Sequence, residues 1–218
     1  MKEFLTLMFT FTLSMSFSQQ PLENRLSITT GSTFINNDFY TVNTVADMHF
    51  DVGLGWRFDM QYEHEVYTNI FVFGGLGLAW HRQHIDINQH HRDPSIPFED
   101  ERYDQERHNR TYGSAFGGLM LKIDESKNKK LKVYAPLGMY NLFGLSRSYS
   151  NPESNVPGNL NFESWFWGLY TGLILDYELA KNVHLRLAPT YTHFFTQYPH
   201  YTGTQNSVDV SVGVVFGF

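Results

Sequence analysis

The sequence predicts an all-β fold, an eight-stranded antiparallel up-and-down β-barrel, on three observations. Apolar and polar residues alternate along several segments, which is the period of a strand and not of a helix. Aromatic residues and glycine are abundant, with 19 Phe, 13 Tyr, 4 Trp and 17 Gly among 218 residues. The predicted connections are alternately short and long, so that successive strands form hairpins with two different ends.

Composition excludes several function classes. Because cysteine is absent, the chain has no disulfide, no thiolate zinc site and no cysteine nucleophile. The formal net charge of −6 argues against nucleic-acid binding. The mean hydropathy is −0.33, and no long apolar stretch follows the first twenty residues, so membrane-spanning helices are not expected.

Residues 1–18 have the pattern of a secretory signal peptide. A charged start with Lys2 precedes an apolar run over residues 4–13, and the small residues Ser16 and Ser18 follow it. The run is too short, and too rich in threonine and serine, for a membrane anchor. We therefore expect cleavage after Ser18, export, and one barrel domain over residues 19–218.

The clearest predicted strand is residues 50–62. Its even positions are all apolar, and its odd positions are polar or glycine. Strict alternation over this length would scatter the apolar side chains around a helix, so the segment must be extended. The same alternation predicts strands at residues 165–177 and 208–218.

Five further segments complete the eight predicted strands: residues 26–35, 69–83, 111–123, 131–146 and 183–194. In 131–146 the odd positions are predicted to face outward, and Lys132, Tyr134 and Tyr140 inward. The faces of 111–123 stay unassigned, because glycine and apolar residues occur on both. Pro136 and Pro189 each remove a ladder donor, so a bulge is expected at each.

The gaps between the predicted strands alternate in length. The short gaps are residues 63–68, 124–130 and 178–182, and the long gaps are residues 36–48, 84–110, 147–162 and 195–205. This alternation on an even number of antiparallel strands is typical of outer-membrane barrels, whose short turns face the periplasm. Both chain ends would then lie on the periplasmic side.

The alternation is compatible with two orientations of the apolar face. A soluble lipocalin-like barrel turns this face inward around a ligand, whereas a transmembrane barrel turns it toward lipid. The opposite face is rich in glycine and small residues, and Trp165 and Tyr177 stand at the two ends of one apolar face. Twelve residues tilted by about 45° span about 28 Å, close to the height of a lipid-facing band. We predict a transmembrane barrel and keep a soluble, secreted ligand carrier as an alternative.

The signal peptide, the eight alternating segments and a last strand ending in Phe218 resemble the small outer-membrane β-barrel family of Gram-negative bacteria, of the OmpX and OmpA-barrel type. The resemblance implies a monomer without a cofactor in the outer membrane, in contact with lipid and lipopolysaccharide. It also implies that the barrel-assembly machinery reads the last strand through Val214, Phe216 and Phe218.

Seven polar side chains are predicted to line the lumen: Asp51, Arg57, Asp59, Asp176, His184, Arg186 and Asp209. An eight-stranded barrel is just wide enough for side chains to fill its interior. Because unpaired buried charge is costly, these groups are expected to pair and to close the lumen. A gated ion path lined by the same groups is the functional alternative.

Residues 84–110, with the strand end before them, contain five of the ten histidines and several carboxylates. His81 and His84 are three apart on a strand and therefore on opposite faces, and the adjacent His90 and His91 lack a partner at a suitable interval. We predict no metal site here and interpret the segment as a solvated extracellular loop.

An outer-membrane lipid A-modifying hydrolase is the alternative from another function class. The lipid A 3-O-deacylase family places a serine two residues after its histidine, whereas His193 is followed at that interval by Phe195. Thr196 would face the other way, so no catalytic residue is predicted. We expect a non-enzymatic envelope or surface-interaction protein with a largely closed polar lumen, whose long loops carry any ligand site.

Overall fold

The computed structural model describes residues 22–41, 46–50, 53–89, 103–128, 130–149, 165–195 and 201–218. They form ten β-strands: β1 (Asn24–Thr41), β2 (Ala46–Phe50), β3 (Gly53–Tyr67), β4 (Ile70–Gln89), β5 (Tyr103–Glu125), β6 (Leu131–Tyr149), β7 (Trp165–Gly172), β8 (Ile174–Ala180), β9 (Val183–Phe194) and β10 (Tyr201–Gly217). The described residues include no helix that is long and apolar enough to cross a membrane. The predicted signal peptide lies outside the described residues.

The strands close into a ring of eight positions, with every pairing antiparallel. The ring runs from β1 through β3, β4, β5 and β6 to one position shared by β7 and β8, then through β9 and β10 back to β1. β2 pairs with residues 85–89 of β4, beyond the part of β4 that pairs with β3. The predicted eight-stranded antiparallel barrel is confirmed.

Four strands, in two adjacent pairs, run well beyond their predicted ends at the side of the long connections. β1 continues to Thr41 and pairs with β10 from Tyr201 onward, so the predicted loops over residues 36–48 and 195–205 are wrong where these strands pair. β4 continues to Gln89 and pairs with β5 from Tyr103 onward, so residues 84–89 and 103–110 are paired strand. The prediction of a single loop over residues 84–110 is therefore wrong at both of its ends. Alternation did not reveal these parts because residues 84–89 contain only Ile85 and Ile87 in alternation, which is too short a run, and residues 104–110 are all polar.

The opposite strand ends are joined by short connections. β3 leads to β4 through residues 68–69, β5 to β6 through residues 126–130, and β8 to β9 through residues 181–182. Asn69 and Asn182 have φ angles of 68° and 64°, a left-handed conformation that asparagine tolerates better than most residues. We call this side of the barrel the short-turn end and the other side the long-connection end.

The bulges expected at two prolines do not occur at the prolines themselves. Pro136 pairs with Met120, and Pro189 pairs with Val210, both without a register shift. The two prolines lie on β6 and β9, on either side of the ring position shared by β7 and β8. That position is interrupted at Leu173, which separates β7 from β8. Leu173 N donates to Pro189 O at 3.0 Å, so Pro189 turns its missing donor toward this interruption.

The outer face of the barrel is apolar, with aromatic residues toward its two ends. The four tryptophans are 39–58% exposed, and each lies more than ten residues from the nearest short turn. The outward tyrosines Tyr62, Tyr67 and Tyr177 lie within six residues of a short turn. Leucines and valines occupy the band between, among them Leu76, Leu78, Leu119, Leu137, Leu185, Val208, Val210 and Val212.

The structure shows which residues of β5 face the interior, which the sequence of residues 111–123 did not decide. In β5, Tyr112, Phe116 and Met120 are buried inside the barrel, while Leu121 is exposed on the outside. In β6, Tyr134 is fully buried, as predicted from its position in the alternation. Large aromatic side chains therefore share the interior with the charged ones.

Candidate functional site: the charged interior of the barrel

Two groups of charged side chains lie inside the barrel at different levels. The first lies near the short-turn end, and we call it the lower network. It consists of Arg25, Glu63, Asp176 and Arg186, each at most 2% exposed. These residues project from β1, β3, β8 and β9, so they connect the first strands of the ring with the last.

The lower network is a closed set of ion pairs. Arg186 donates from Nε to Asp176 Oδ1 and from Nη2 to Asp176 Oδ2, both at 2.8 Å, and its Nη2 also lies 3.2 Å from Glu63 Oε2. Arg25 Nε lies 3.1 Å from Glu63 Oε2, and Arg25 Nη2 donates to Asp176. Each arginine therefore contacts both carboxylates, and the two positive charges balance the two negative ones.

Neutral side chains complete the lower network. The Arg25 guanidinium lies 4.7 Å from the centroid of the Tyr134 ring and 5.5 Å from that of Phe71, within the range of cation–π contact. Arg25 also donates to the Tyr134 hydroxyl, and Gln61 Nε2 donates to Glu63 Oε1 at 2.8 Å. These contacts satisfy charges that would otherwise be costly to bury.

The second group, which we call the central network, lies farther from the short turns and consists of Arg57, Asp59 and Asp209. Arg57 Nε donates to Asp59, and Arg57 Nη1 lies 3.0 Å from Asp209 Oδ2. The Tyr140 ring lies under the guanidinium, at 5.0 Å, and Ser114 Oγ donates to Asp59 Oδ1 at 3.4 Å. With one arginine and two aspartates, this network differs from the lower one in having an excess carboxylate.

Six of the seven side chains predicted to line the lumen lie buried inside the barrel, and five of these belong to the two networks. The sixth, His184, is 5% exposed, and its Nδ1 has no hydrogen-bond partner in the described part of the chain. The seventh, Asp51, lies outside the described residues. The structure thus places Asp176 with Arg186, and Arg57 with both Asp59 and Asp209.

Sequence reasoning missed half of the lower network. Arg25 and Glu63 each lie one residue beyond the predicted ends of their strands, at Leu26 and Tyr62. Both continue the inward alternation, since Arg25 is in phase with Ser27 and Glu63 with Gln61, Asp59 and Arg57. Extending each strand until its alternation stopped would have found them.

The interior is divided between a polar side and an aromatic side. The expectation that glycine and small residues fill the inner face holds only for part of the ring. On the strands from β4 to β8, and at the end of β9, the inward residues include Phe71, Phe73, Tyr112, Phe116, Tyr134, Tyr140, Phe166, Tyr170, Ile174 and Phe194. Phe116 stacks on Tyr140 at 5.7 Å between ring centroids, and Tyr140 stacks on Tyr170 at 6.1 Å.

Two small cavities lie on either side of Arg57. The cavity toward the long-connection end has a volume of about 10 Å³ and is also lined by His81 and Asp209. The cavity toward the lower network has a volume of about 20 Å³ and is also lined by Asp59 and Arg186. Each has room for about one water molecule, so neither would hold an apolar ligand of lipid size.

His193, the residue considered for the role of catalytic base in a hydrolase, lies on the outer face of the barrel. His193 lies half-buried on the outer face of β9, and its Nδ1 lies 2.7 Å from Asn206 Oδ1. The Phe195 ring packs edge-on against the His193 ring, at 5.1 Å. A phenyl group therefore occupies the position where a nucleophile would be needed, and Thr196 lies outside the described residues.

The histidine-rich segment over residues 84–110 is only partly described, whereas the last strand is described as far as Phe218. His90 and His91 lie outside the described residues, and the residues that are described contain no group of three or more histidines and carboxylates placed to hold a metal ion. Phe216 and Phe218 are exposed on the outer face at the short-turn end. Phe218 N donates to Asn24 O at 2.9 Å, which joins the end of the chain to β1.

Comparison with solved structures returns small outer-membrane β-barrels. The outer membrane protein OprG from Pseudomonas aeruginosa has a TM-score of 0.49 and 14% identity, over 90% of this chain and 95% of its own. Neisserial surface protein A has a TM-score of 0.47 and 13% identity, over 91% and 100%. Ail, the attachment invasion locus protein of Yersinia pestis, has a TM-score of 0.44 and 14% identity, over 90% and 100%.

The comparisons stop at this architectural likeness. No protein-family model matches the chain, and no curated protein matches it. Because identities to the solved structures are 13–14% and the TM-scores are below 0.5, they assign no activity or ligand.

Proposed function

We propose that this chain is a monomeric outer-membrane β-barrel protein that serves the cell envelope or its surface interactions without enzymatic activity. The observation that carries the proposal is that charged side chains lie inside the barrel and apolar side chains outside, the reverse of a soluble protein. Arginine and carboxylate side chains such as Arg186 and Asp176 are buried in the interior, while tryptophan, leucine and valine are exposed outside. This distribution suits a barrel whose solvent is lipid.

The soluble ligand carrier has the opposite requirements. It would need an apolar cavity inside and a charged surface outside. Here ion pairs and packed rings occupy the interior, and an apolar band surrounds the barrel. Soluble monomers rarely expose apolar patches of this extent, because such patches associate in water.

We further propose that the lumen is closed. The lower and central networks span the interior at two levels, and the rings of Phe116, Tyr140 and Tyr170 fill the space beside them. The cavities of about 10 and 20 Å³ are separated by Arg57, which lines both. An ion would have to displace buried, mutually paired charges at two successive levels, which favours a sealed interior over a gated path.

Interaction is then left to the outside of the barrel. The long connections would form the extracellular surface, where the specificity of a rigid barrel resides in its loops. The tryptophans of the outer face would lie in the leaflet on that side, in contact with lipid or lipopolysaccharide. At the short-turn end, the outward positions of Val214, Phe216 and Phe218 support the role of an assembly signal that the family resemblance implies.

Cell fractionation followed by gel migration tests the proposal. We expect the protein in the outer-membrane fraction, extractable only with detergent, and migrating differently before and after boiling because the folded barrel resists denaturation. Recovery as a freely soluble periplasmic or secreted protein would overturn the proposal. A membrane protein that shows no heat-dependent migration would contradict the closed barrel.

A further inference from the structure

A polar cluster lies on the outer face at the short-turn end of the barrel. We call it the short-turn cluster, and it consists of Asn24, Tyr62 and His64. Asn24 Oδ1 accepts a hydrogen bond from the Tyr62 hydroxyl at 2.9 Å and lies 2.7 Å from His64 Nδ1. Asn24 and His64 are direct cross-strand partners in the β1–β3 pair.

The same arrangement recurs on different strands at the other end. The long-connection cluster consists of Tyr191, His193 and Asn206. Asn206 Oδ1 accepts from the Tyr191 hydroxyl at 2.8 Å and lies 2.7 Å from His193 Nδ1. Asn206 and His193 are cross-strand partners in the β9–β10 pair. In both clusters, tyrosine and histidine are two residues apart on one strand, and asparagine lies on its neighbour.

The hydrogen bonds within each cluster fix what it offers to its surroundings. Because the asparagine Oδ1 is an acceptor, the histidine Nδ1 must carry the proton, and Nε2 of the neutral ring is then an acceptor. The asparagine Nδ2 remains a donor. Neither Nδ2 nor Nε2 has a protein partner among the described residues. Each cluster thus presents one donor group and one acceptor, without a fixed charge.

The separation of the clusters matches a membrane. Asn206 pairs with Asn36, which lies twelve positions along β1 from Asn24. At about 3.3 Å per residue and a tilt of about 45°, this distance projects to about 28 Å along the barrel axis. The hydrocarbon core of a bilayer is about 30 Å thick. Between the two clusters, the outward side chains of β10 are all apolar: Val208, Val210, Val212, Val214 and Phe216.

We propose that each cluster is a site for a lipid head group that carries both a phosphate and a primary ammonium, as phosphatidylethanolamine does, one at each membrane interface. This inference rests on the proposed membrane location. The asparagine Nδ2 would donate to a phosphate oxygen, and the histidine Nε2 would accept from the primary ammonium. A zwitterionic head group supplies an acceptor and a donor at once. It therefore suits a neutral donor–acceptor pair better than a purely anionic phosphate does. The tyrosine, half-exposed in each cluster, lies against the acyl region.

Nitrogen NMR of histidine in lipid vesicles tests this inference directly. Histidine-labelled full-length protein would be folded into vesicles of phosphatidylethanolamine and phosphatidylglycerol, and into matched vesicles of phosphatidylcholine and phosphatidylglycerol. Choline has no N–H, so it cannot donate to Nε2. We expect the Nε2 signals of His64 and His193 to shift between the two vesicle types and the other histidine signals to stay, with His64→Phe and His193→Phe identifying the two signals.

Asparagine variants provide the matched comparison. Asn24→Leu and Asn206→Leu should each abolish the lipid-dependent shift of their own cluster. Asn141→Leu should leave both shifts intact, because Asn141 lies on the outer face but its amide is bonded to Ala115 O at 3.4 Å. Identical histidine spectra in both vesicle types, with heat-dependent gel migration preserved, would overturn the head-group sites alone. Recovery of the protein as a soluble species on cell fractionation would overturn the membrane location as well.

Discussion

Asp176 and Arg186 are direct cross-strand partners in the β8–β9 pair, and their side chains meet inside the barrel through two parallel hydrogen bonds of 2.8 Å. The pair is the rigid half of the lower network, because a bidentate contact fixes the plane of the guanidinium. Arg186 can then present its remaining donors to Glu63.

Asp176→Asn should destabilise the barrel by about 3–5 kcal/mol, because it leaves two buried guanidinium groups with one carboxylate. The free energy of unfolding, measured by urea titration of protein folded in vesicles, checks this value. Glu178→Gln, two residues farther along β8 at the edge of the barrel, is the control and should have little effect. Equal losses in both variants would contradict the energetic role of the network.

Val212→Arg should cost about 2–4 kcal/mol of folding free energy in a bilayer, since Val212 lies near the middle of the outward band, whereas Val208→Arg, near its edge, should cost about 0–1 kcal/mol. Both valines are on β10, face outward and are similarly exposed. The same unfolding titration compares them. A soluble barrel would tolerate both substitutions alike, so the absence of a depth dependence would count against lipid contact.

The wild-type protein should not conduct ions in a planar bilayer. Arg57→Ala should join the two cavities but still give no current, because the lower network remains in place. Arg57→Ala combined with Arg186→Ala removes an arginine at both levels and should produce measurable conductance. Single-channel recording distinguishes the three proteins, provided that each migrates as a folded barrel. Steady current through the wild type would show that the networks do not close the lumen.

Overexpression of the protein should leave lipid A acylation unchanged. His193 has Asn206 as its partner, but the adjacent outward position is Phe195, which has no nucleophilic atom. Mass spectrometry of lipid A from cells with and without the protein checks this expectation. An altered acylation pattern that disappears in His193→Ala would establish a hydrolase and contradict the non-enzymatic assignment.

The fold could be read from the sequence because its outer face must be apolar on every strand. The alternation in residues 50–62 predicted β3 and its faces from Gly53 onward, since a one-residue slip would put Arg57 into the apolar layer, but Phe50 belongs to the separate strand β2. The ends of the strands could not be read in the same way. Beyond the apolar band, β4 and β5 keep pairing at residues 84–89 and 103–110, where only Ile85 and Ile87 alternate with polar residues and residues 104–110 are all polar.

The interior was predictable in kind but not in detail. Charges at alternating positions indicated that Arg57, Asp59 and Asp209 would lie inside. Which charge meets which depends on the stagger of strands around the ring, and alternation within one strand carries no information about it. For the same reason, the sequence could not predict that the Tyr140 ring on β6 would lie against the Arg57 guanidinium.

The division of the interior has a consequence for the order of folding. The aromatic side is built mainly from β4 to β8, which follow one another along the chain, so its rings can meet while the sheet is still open. The lower network instead joins residues far apart in sequence: Arg25 and Asp176 are separated by 151 positions, and Glu63 and Arg186 by 123. Bringing such distant segments together carries the larger entropic cost, and these ion pairs can form only when β1 meets β10. These two contacts therefore stabilise only the closed ring, whereas Asp176–Arg186 and Arg25–Glu63 join neighbouring strands and can already form in the open sheet that precedes it.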